Sequence, residues 1–151
     1  MLAVDDHVPF LVLLRKVVRA TGQLELVGEA ESGEQAVVAA RELRPDVVLI
    51  DVRMPGMGGI AAAKRIKEDR PSTRVVLIST THPDELPHET RGPLVDGIVW
   101  KSELGPKSLD EIWLRCRGAL WPVSEEPWAT RVRRDAGIGR FALSAPTPQR
   151  P

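Results

Sequence analysis

Short apolar runs recur along the chain, each bounded by polar or turn-forming residues. Val47-Val48-Leu49-Ile50 lies between Pro45-Asp46 and Asp51. Val75-Val76-Leu77-Ile78 is a second run and Ile98-Val99-Trp100 a third. Such unbroken, β-branched runs suit strands buried on both faces of a parallel sheet. Leu24 to Ala30 instead alternates, with Glu25 and Glu29 turned away from Leu24 and Leu26, the pattern of an edge strand. Leu2-Ala3-Val4 reads as an unusually short first strand.

Helical patterns lie between the runs. Pro9 suits a first helical position, ahead of the amphipathic stretch Phe10 to Ala20. Ser32-Gly33-Glu34-Gln35 reads as a capping box opening a helix that reaches about Leu43. Ile60 to Glu68 is an alanine-rich helix. Ser108-Leu109-Asp110-Glu111 reads as a second capping box, whose helix sets Leu109, Ile112, Cys116 and Leu120 on one face. Between the fourth and fifth strands, Pro87 and Pro93 limit any helix from Asp84 to two turns or fewer. The β-α order repeats five times. It predicts an α/β fold, a doubly wound parallel sheet with helices on both faces. The chain changes character at Trp121-Pro122, so residues 1–120 are expected to form one domain and 121–151 a flexible tail rich in Pro and Arg.

Composition narrows the function classes. Lys and Arg balance Asp and Glu at 21 each, which leaves no basic footprint for nucleic acid. The lone cysteine, Cys116, has no internal partner for a disulfide and reads as a small core residue. The apolar run Phe10 to Leu14 is too short for a signal-peptide core or a membrane span. A cytoplasmic protein with no membrane contact is the default expectation.

The strand ends carry the chemistry. Strand 1 ends in Asp5-Asp6, strand 3 in Asp51, strand 4 in Ser79 and strand 5 in Lys101. Open α/β sheets bind ligands beyond the carboxyl ends of their strands, where the strand order reverses. A 2-1-3-4-5 order would gather Asp5, Asp6 and Asp51 in one crevice, with Ser79 and Lys101 alongside. Three carboxylates so placed call for protons or a cation, and a few hard oxygen ligands suit Mg²⁺. A carboxylate beside Mg²⁺ can attack a phosphoryl group and become an acyl phosphate. Lys101 and Ser79 would then satisfy phosphoryl oxygens that the metal does not. Taken singly, each of these residues is more often a turn former or a solvated charge. The joint placement at successive strand ends is what carries the reading.

These residues resemble a response-regulator receiver domain of two-component signalling, over about Met1 to Leu120. Leu2-Ala3-Val4-Asp5-Asp6-His7 is similar to the opening acidic pair of that family. Asp51-Val52-Arg53-Met54-Pro55-Gly56-Met57-Gly58-Gly59 is similar to its phosphoacceptor loop, Ile78-Ser79-Thr80 to its switch hydroxyl, and Asp96 to Lys101 to the segment ending in its lysine. The opening and the loop look most like receivers of the NarL class. The resemblance implies a flavodoxin-like (βα)5 fold with the phosphoryl group on Asp51. It implies Mg²⁺ held by Asp6, Asp51 and the Arg53 backbone carbonyl, with Asp5 acting nearby through water. It implies a sensor histidine kinase as partner, and an effector protein or a second copy of the chain downstream. It also implies catalysis on itself alone.

Some features depart from the family pattern. The first strand lacks the few residues that usually precede it, so a start further upstream is expected. Ile98 stands where the family often has an aromatic, three residues before the lysine. The helix before strand 5 is broken by proline. About 30 residues follow Leu120, too few for a helix-turn-helix output domain, so no specific DNA binding is expected of this chain. These departures keep two alternatives open: a receiver-like interaction module that no longer uses phosphate, and a truncated DNA-binding regulator. Other classes fail on single residues. No glycine-rich loop follows strand 1, as dinucleotide binding would need. Arg53 stands where a haloacid-dehalogenase-like phosphatase wants a second acid. His7, His82 and His88 form no metal-ligand pattern. His82 and His88 are expected to face solvent, and Trp113 to be partly exposed.

Overall fold

The computed structural model describes residues 1–82, 85–91, 94–116, 118 and 141–142. Strands β1 (Leu2–Val4), β2 (Gly28–Ala30), β3 (Val47–Asp51), β4 (Arg74–Ser79) and β5 (Gly97–Trp100) alternate with helices α1 (Val8–Thr21), α2 (Gly33–Leu43), α3 (Gly59–Asp69) and α4 (Pro106–Cys116). The five strands are parallel in the order β2-β1-β3-β4-β5. A two-residue strand, β6 (Phe141–Ala142), pairs antiparallel with β5 through Val99 and Ile98. The rest of the expected tail, and Leu120 of the expected helix face, lie outside the described residues.

Alternation along the strands explains the two helical layers. In β3, Val48 and Ile50 point to one side and pack with Ala36, Ala62 and Ile66 of α2 and α3. Val47 and Leu49 point to the other and pack with Leu11, Leu14 and Val18 of α1 and with Leu109 and Ile112 of α4. Both faces of the sheet are therefore dry. The unbroken apolar runs follow from that, since a strand covered on both sides has no face left for polar residues.

Local chemistry sets the helix starts. Ser32 caps α2, its Oγ accepting the Gln35 N–H at 3.2 Å. The Gln35 side chain returns to the Glu31 N–H at 2.9 Å, one residue earlier than a standard box. The second predicted box does not form. α4 starts at Pro106, two residues before Ser108, because proline fits the first helical position and has no N–H to satisfy there. Ser108 lies inside the helix, and its Oγ is engaged with Gly105 instead.

The edge strand is also shorter than the alternation predicts. β2 pairs with β1 over Gly28, Glu29 and Ala30 alone. β1 begins at Leu2, so ladder partners run out at Gly28. Val27 still donates to the Met1 carbonyl at 2.9 Å, while Leu24 and Leu26 pack against the α1–α4 core without pairing. Between β4 and β5 the described residues form a 3₁₀ turn, His88–Arg91, and no α-helix, as the prolines predict. Thr90 is fully buried there and its hydroxyl bonds the Pro87 carbonyl at 2.6 Å.

Candidate functional site

The site lies at the carboxyl ends of β1, β3 and β5, beside the point where strand order reverses. Lys101, the residue after β5, sends its ammonium between two carboxylates. Nζ lies 2.5 Å from Asp5 Oδ2 and 3.0 Å from Asp51 Oδ1. Asp5 is fully buried and Asp51 nearly so. The remaining carboxylate oxygens are held by backbone. Asp5 Oδ1 accepts the His7 N–H at 2.9 Å, and Asp51 Oδ2 accepts the Arg53 N–H at 2.9 Å. Both are local turns that aspartate favours, with the side chain capping the chain two residues on. Asp5 Oδ2 has no hydrogen bond of good geometry; its compensation is the charge of Lys101.

One ammonium serving two acids has consequences for both sides. Burial weighs against the Lys101 charge, but the hydrogen bonds and charges of Asp5 and Asp51 outweigh it and leave its pKa above 10.5. Burial also pushes the Asp51 carboxyl above the ordinary 3.8. Lys101 pulls it back only in part, the Asp5 charge adds to the rise, and the Arg53 N–H opposes it. Lysine is thus doubly compensated and each acid only half so.

The remaining predicted residues take different places. Asp6 faces solvent and makes no contact with Lys101, Asp5 or Asp51 among the described interactions. No cluster of three acidic, histidine or cysteine side chains close enough to hold a metal forms among the described residues, so the expected three-carboxylate crevice is not assembled. The physical reason is alternation: at the end of β1 Asp5 turns into the site, and its neighbour Asp6 turns away. Ser79 is buried on β4, one residue beyond Ile78, the register partner of Asp51. Its Oγ accepts the Thr81 N–H at 3.0 Å. Arg53 is exposed. Gly59, which opens α3, packs so closely that a Cβ there would lie 1.9 Å from the Asp51 carbonyl oxygen.

Three contacts were not read from the sequence. The Phe10 ring of α1 lies under Lys101, with Nζ 4.6 Å from its centroid, within cation–π range. Trp100, beside Lys101, donates its indole N–H to the Thr80 carbonyl at 2.9 Å. His82 meets the Trp100 ring edge-on at 5.2 Å and is only partly exposed, against the expectation that it faces solvent. Apolar spacing alone marked Phe10 as a helix residue. Its position four residues after the acidic pair is the one signal that could have drawn it toward the site.

A model of the response regulator receiver domain matches residues 1–111. The chain belongs to this family. It is 39% identical over 87 residues to the response regulator GacA of Pseudomonas viridiflava, covering 58% of this chain and 41% of that one. It is 37% identical over 107 residues to the transcriptional regulatory protein YdfI of Bacillus subtilis, covering 71% and 45%. The chain thus spans less than half the length of either relative. Among solved structures, it is similar to the signal receiver domain of NarL from Mycobacterium tuberculosis. The TM-score is 0.71 at 28% identity, over 79% of this chain and 95% of that one. The receiver fold, strand order and signalling family expected from the motifs all hold. No helix among the described residues is long and apolar enough to cross a membrane.

Proposed function

We propose that this receiver accepts a phosphoryl group on Asp51 from the phosphohistidine of a sensor histidine kinase. The observation that carries the reading is the buried Asp51 carboxylate at the end of β3, with the Lys101 ammonium 3.0 Å from one oxygen. An Asp51 oxygen attacks phosphorus, the P–N bond to the donor imidazole breaks, and the imidazole leaves with a proton. Lys101 offsets negative charge gathering on the phosphoryl oxygens, and Ser79 can turn its hydroxyl toward one of them. The steps need positioning and charge neutralisation more than further covalent chemistry.

The donor set fits a divalent cation. It is all oxygen, and its two buried carboxylates, Asp5 and Asp51, share a single ammonium. Asp6, Asp51 and the Arg53 carbonyl would hold Mg²⁺, with Asp5 beside it. When bound, the ion would supply charge neutralisation and a shared ligand for the incoming phosphoryl group. Asp6 would have to turn inward from its present exposed position. The only catalysis in this reading is on the protein itself, in the cytoplasm, with output passed to an effector or a second copy of the chain. The proposed extents are 1–120 for the receiver and 121–151 for the tail.

Incubation with acetyl phosphate and Mg²⁺, followed by mass mapping, tests the assignment. Wild type should gain one phosphoryl group on the peptide bearing Asp51, and Asp51→Asn should gain none there. Equal phosphorylation of the two would overturn the reading. The phosphate-independent module retains one supporting observation, the buried Ile98 in place of an aromatic, and the same experiment decides it.

A further inference from the structure

We infer that Glu34, on the first turn of α2, is a positioning residue that latches the loop following Asp51 and holds it in the shape phosphorylation requires. The inference rests on the phosphoacceptor reading of Asp51 and goes beyond it, because Glu34 touches none of the reacting groups.

Glu34 serves two places at once. At the start of α2 it accepts its own backbone N–H and bonds the Ser32 hydroxyl, beside the Ser32–Gln35 and Gln35–Glu31 bonds. It also reaches across to a segment 23 residues away, where Oε1 accepts the Met57 N–H at 2.9 Å. The contact is exposed, so burial does not impose it. Its backbone frame is close-fitting all the same. A Cβ at Gly33 would lie 2.2 Å from the Met57 carbonyl oxygen, so α2 and the loop touch backbone to backbone. Gly56 turns the loop with φ of +71°, and a Cβ there would stand 3.1 Å from Glu34 Oε1. On the other side the loop is anchored by buried Met54 and by the Gly59 N–H donating to the Val52 carbonyl at 3.2 Å.

Arg53 stands at the head of this loop, between Val52 and Met54. Its N–H fixes Asp51 Oδ2, and its carbonyl is the backbone ligand proposed for the cation. Freeing Met57 lets the loop relax from the α2 side and loosens both. A simpler role for Glu34 would be its negative charge at a helix N-terminus, which favours the helix dipole. The two roles separate on Glu34→Gln, which keeps an acceptor oxygen for Met57 but loses the charge.

The test compares wild type, Glu34→Ala and Glu34→Gln, all full-length. Three quantities are measured: exchange of the Met57 amide without metal, Mg²⁺ affinity without a phosphoryl donor, and the rate of Asp51 phosphorylation by acetyl phosphate. Glu34→Ala should speed Met57 exchange and weaken Mg²⁺ binding roughly three- to tenfold, the scale of one ordinary hydrogen bond. Its phosphorylation should slow to a similar degree at limiting Mg²⁺ and recover at saturating Mg²⁺. Glu34→Gln should stay near wild type in all three. Unchanged Mg²⁺ affinity and rate in Glu34→Ala would overturn the latch, as would a Gln variant as impaired as the Ala variant. A wild type that is not phosphorylated on Asp51 would overturn the latch together with the reading beneath it. Wild-type phosphorylation with an unaffected Glu34→Ala would sink the latch alone.

Discussion

Lys101 sits between two buried acids that share its single charge, and that inequality sets the pH behaviour of the site. Lys101 has a folded pKa raised above 10.5, so the stability it contributes is fully present below that value. It is lost as pH rises through the higher folded value. Asp51 runs the opposite way. Its folded pKa is raised above 3.8 by burial, so ionising it costs stability as pH climbs from 3.8 through the folded value. Lys101→Met should therefore be less stable than wild type at pH 7, by about 2 kcal/mol, because two buried carboxylates lose their counter-charge. The deficit should shrink as the pH falls through the raised folded pKa of Asp51, where that carboxyl takes up a proton. Urea unfolding of both proteins across that range checks this, and a deficit independent of pH would contradict it. Most of the site is legible at this scale. Asp5, Asp51, Ser79 and Lys101 stand at strand ends, and the topology brings strand ends together. The sequence could not separate Asp5 from Asp6, because only the pleat at the end of β1 decides which one turns in. Phe10 was out of reach because its contact depends on how α1 lies over the end of β5.

At the scale of elements, the described residues between β4 and β5 form a 3₁₀ turn, His88–Arg91, and no α-helix. The resemblance to receivers implies a switch in which the hydroxyl at the Ser79 position moves toward the phosphate and an aromatic follows it. Ile98 is buried in the core facing α2 and α3 and has no ring to turn. Trp100 instead holds the Thr80 carbonyl, one residue past Ser79. Beryllofluoride, a phosphate mimic, should therefore raise hydrogen-exchange protection between Thr80 and Leu94 and shift Trp100 fluorescence. Trp100→Phe should abolish that part of the signal. Unchanged exchange despite proven occupancy at Asp51 would sink the idea. At the other end of the sheet a second element contact can be weighed. Asp96 accepts from Lys67 at 2.6 Å, from Arg74 at 2.9 Å and from the Val75 N–H at 2.8 Å, which ties α3 to β4 and to the turn before β5. Lys67 is only 9% exposed. Asp96→Ala should cost about 3 kcal/mol, since it strands a buried ammonium. A denaturant midpoint within error of wild type would show that Lys67 escapes to water instead. Proline placement made the 3₁₀ turn among the described residues there readable in advance. The start of α4 was misread because Ser108 has the composition of a cap, while Pro106 already supplied a better first residue.

At the scale of the whole molecule, the fold followed from periodicity more fully than any single element did. Unbroken apolar runs demand cover on both faces of the sheet, and the two separate cores supply it. Charge decides what such a body can do with nucleic acid. Residues 1–120 hold 16 basic and 18 acidic side chains, a net of −2. The following 31 residues hold 5 and 3, a net of +2. The deepest charges of the first segment are carboxylates at the strand ends, which repel a phosphate backbone unless a cation intervenes. Specific reading of bases would further need an element in a groove, and the described helices all spend their apolar faces on the sheet. Only weak, salt-sensitive contact through the basic excess remains, and a surplus of two charges displaces few counterions. This chain alone should therefore bind duplex DNA weakly and without sequence preference. Its affinity should fall by less than about a hundredfold between 50 and 200 mM salt, against the thousandfold or more of a protein making six or more phosphate contacts. Fluorescence anisotropy on specific and scrambled duplexes measures both quantities. Tight, sequence-dependent binding at physiological salt would show that the charge argument misses a recognition element within these 151 residues.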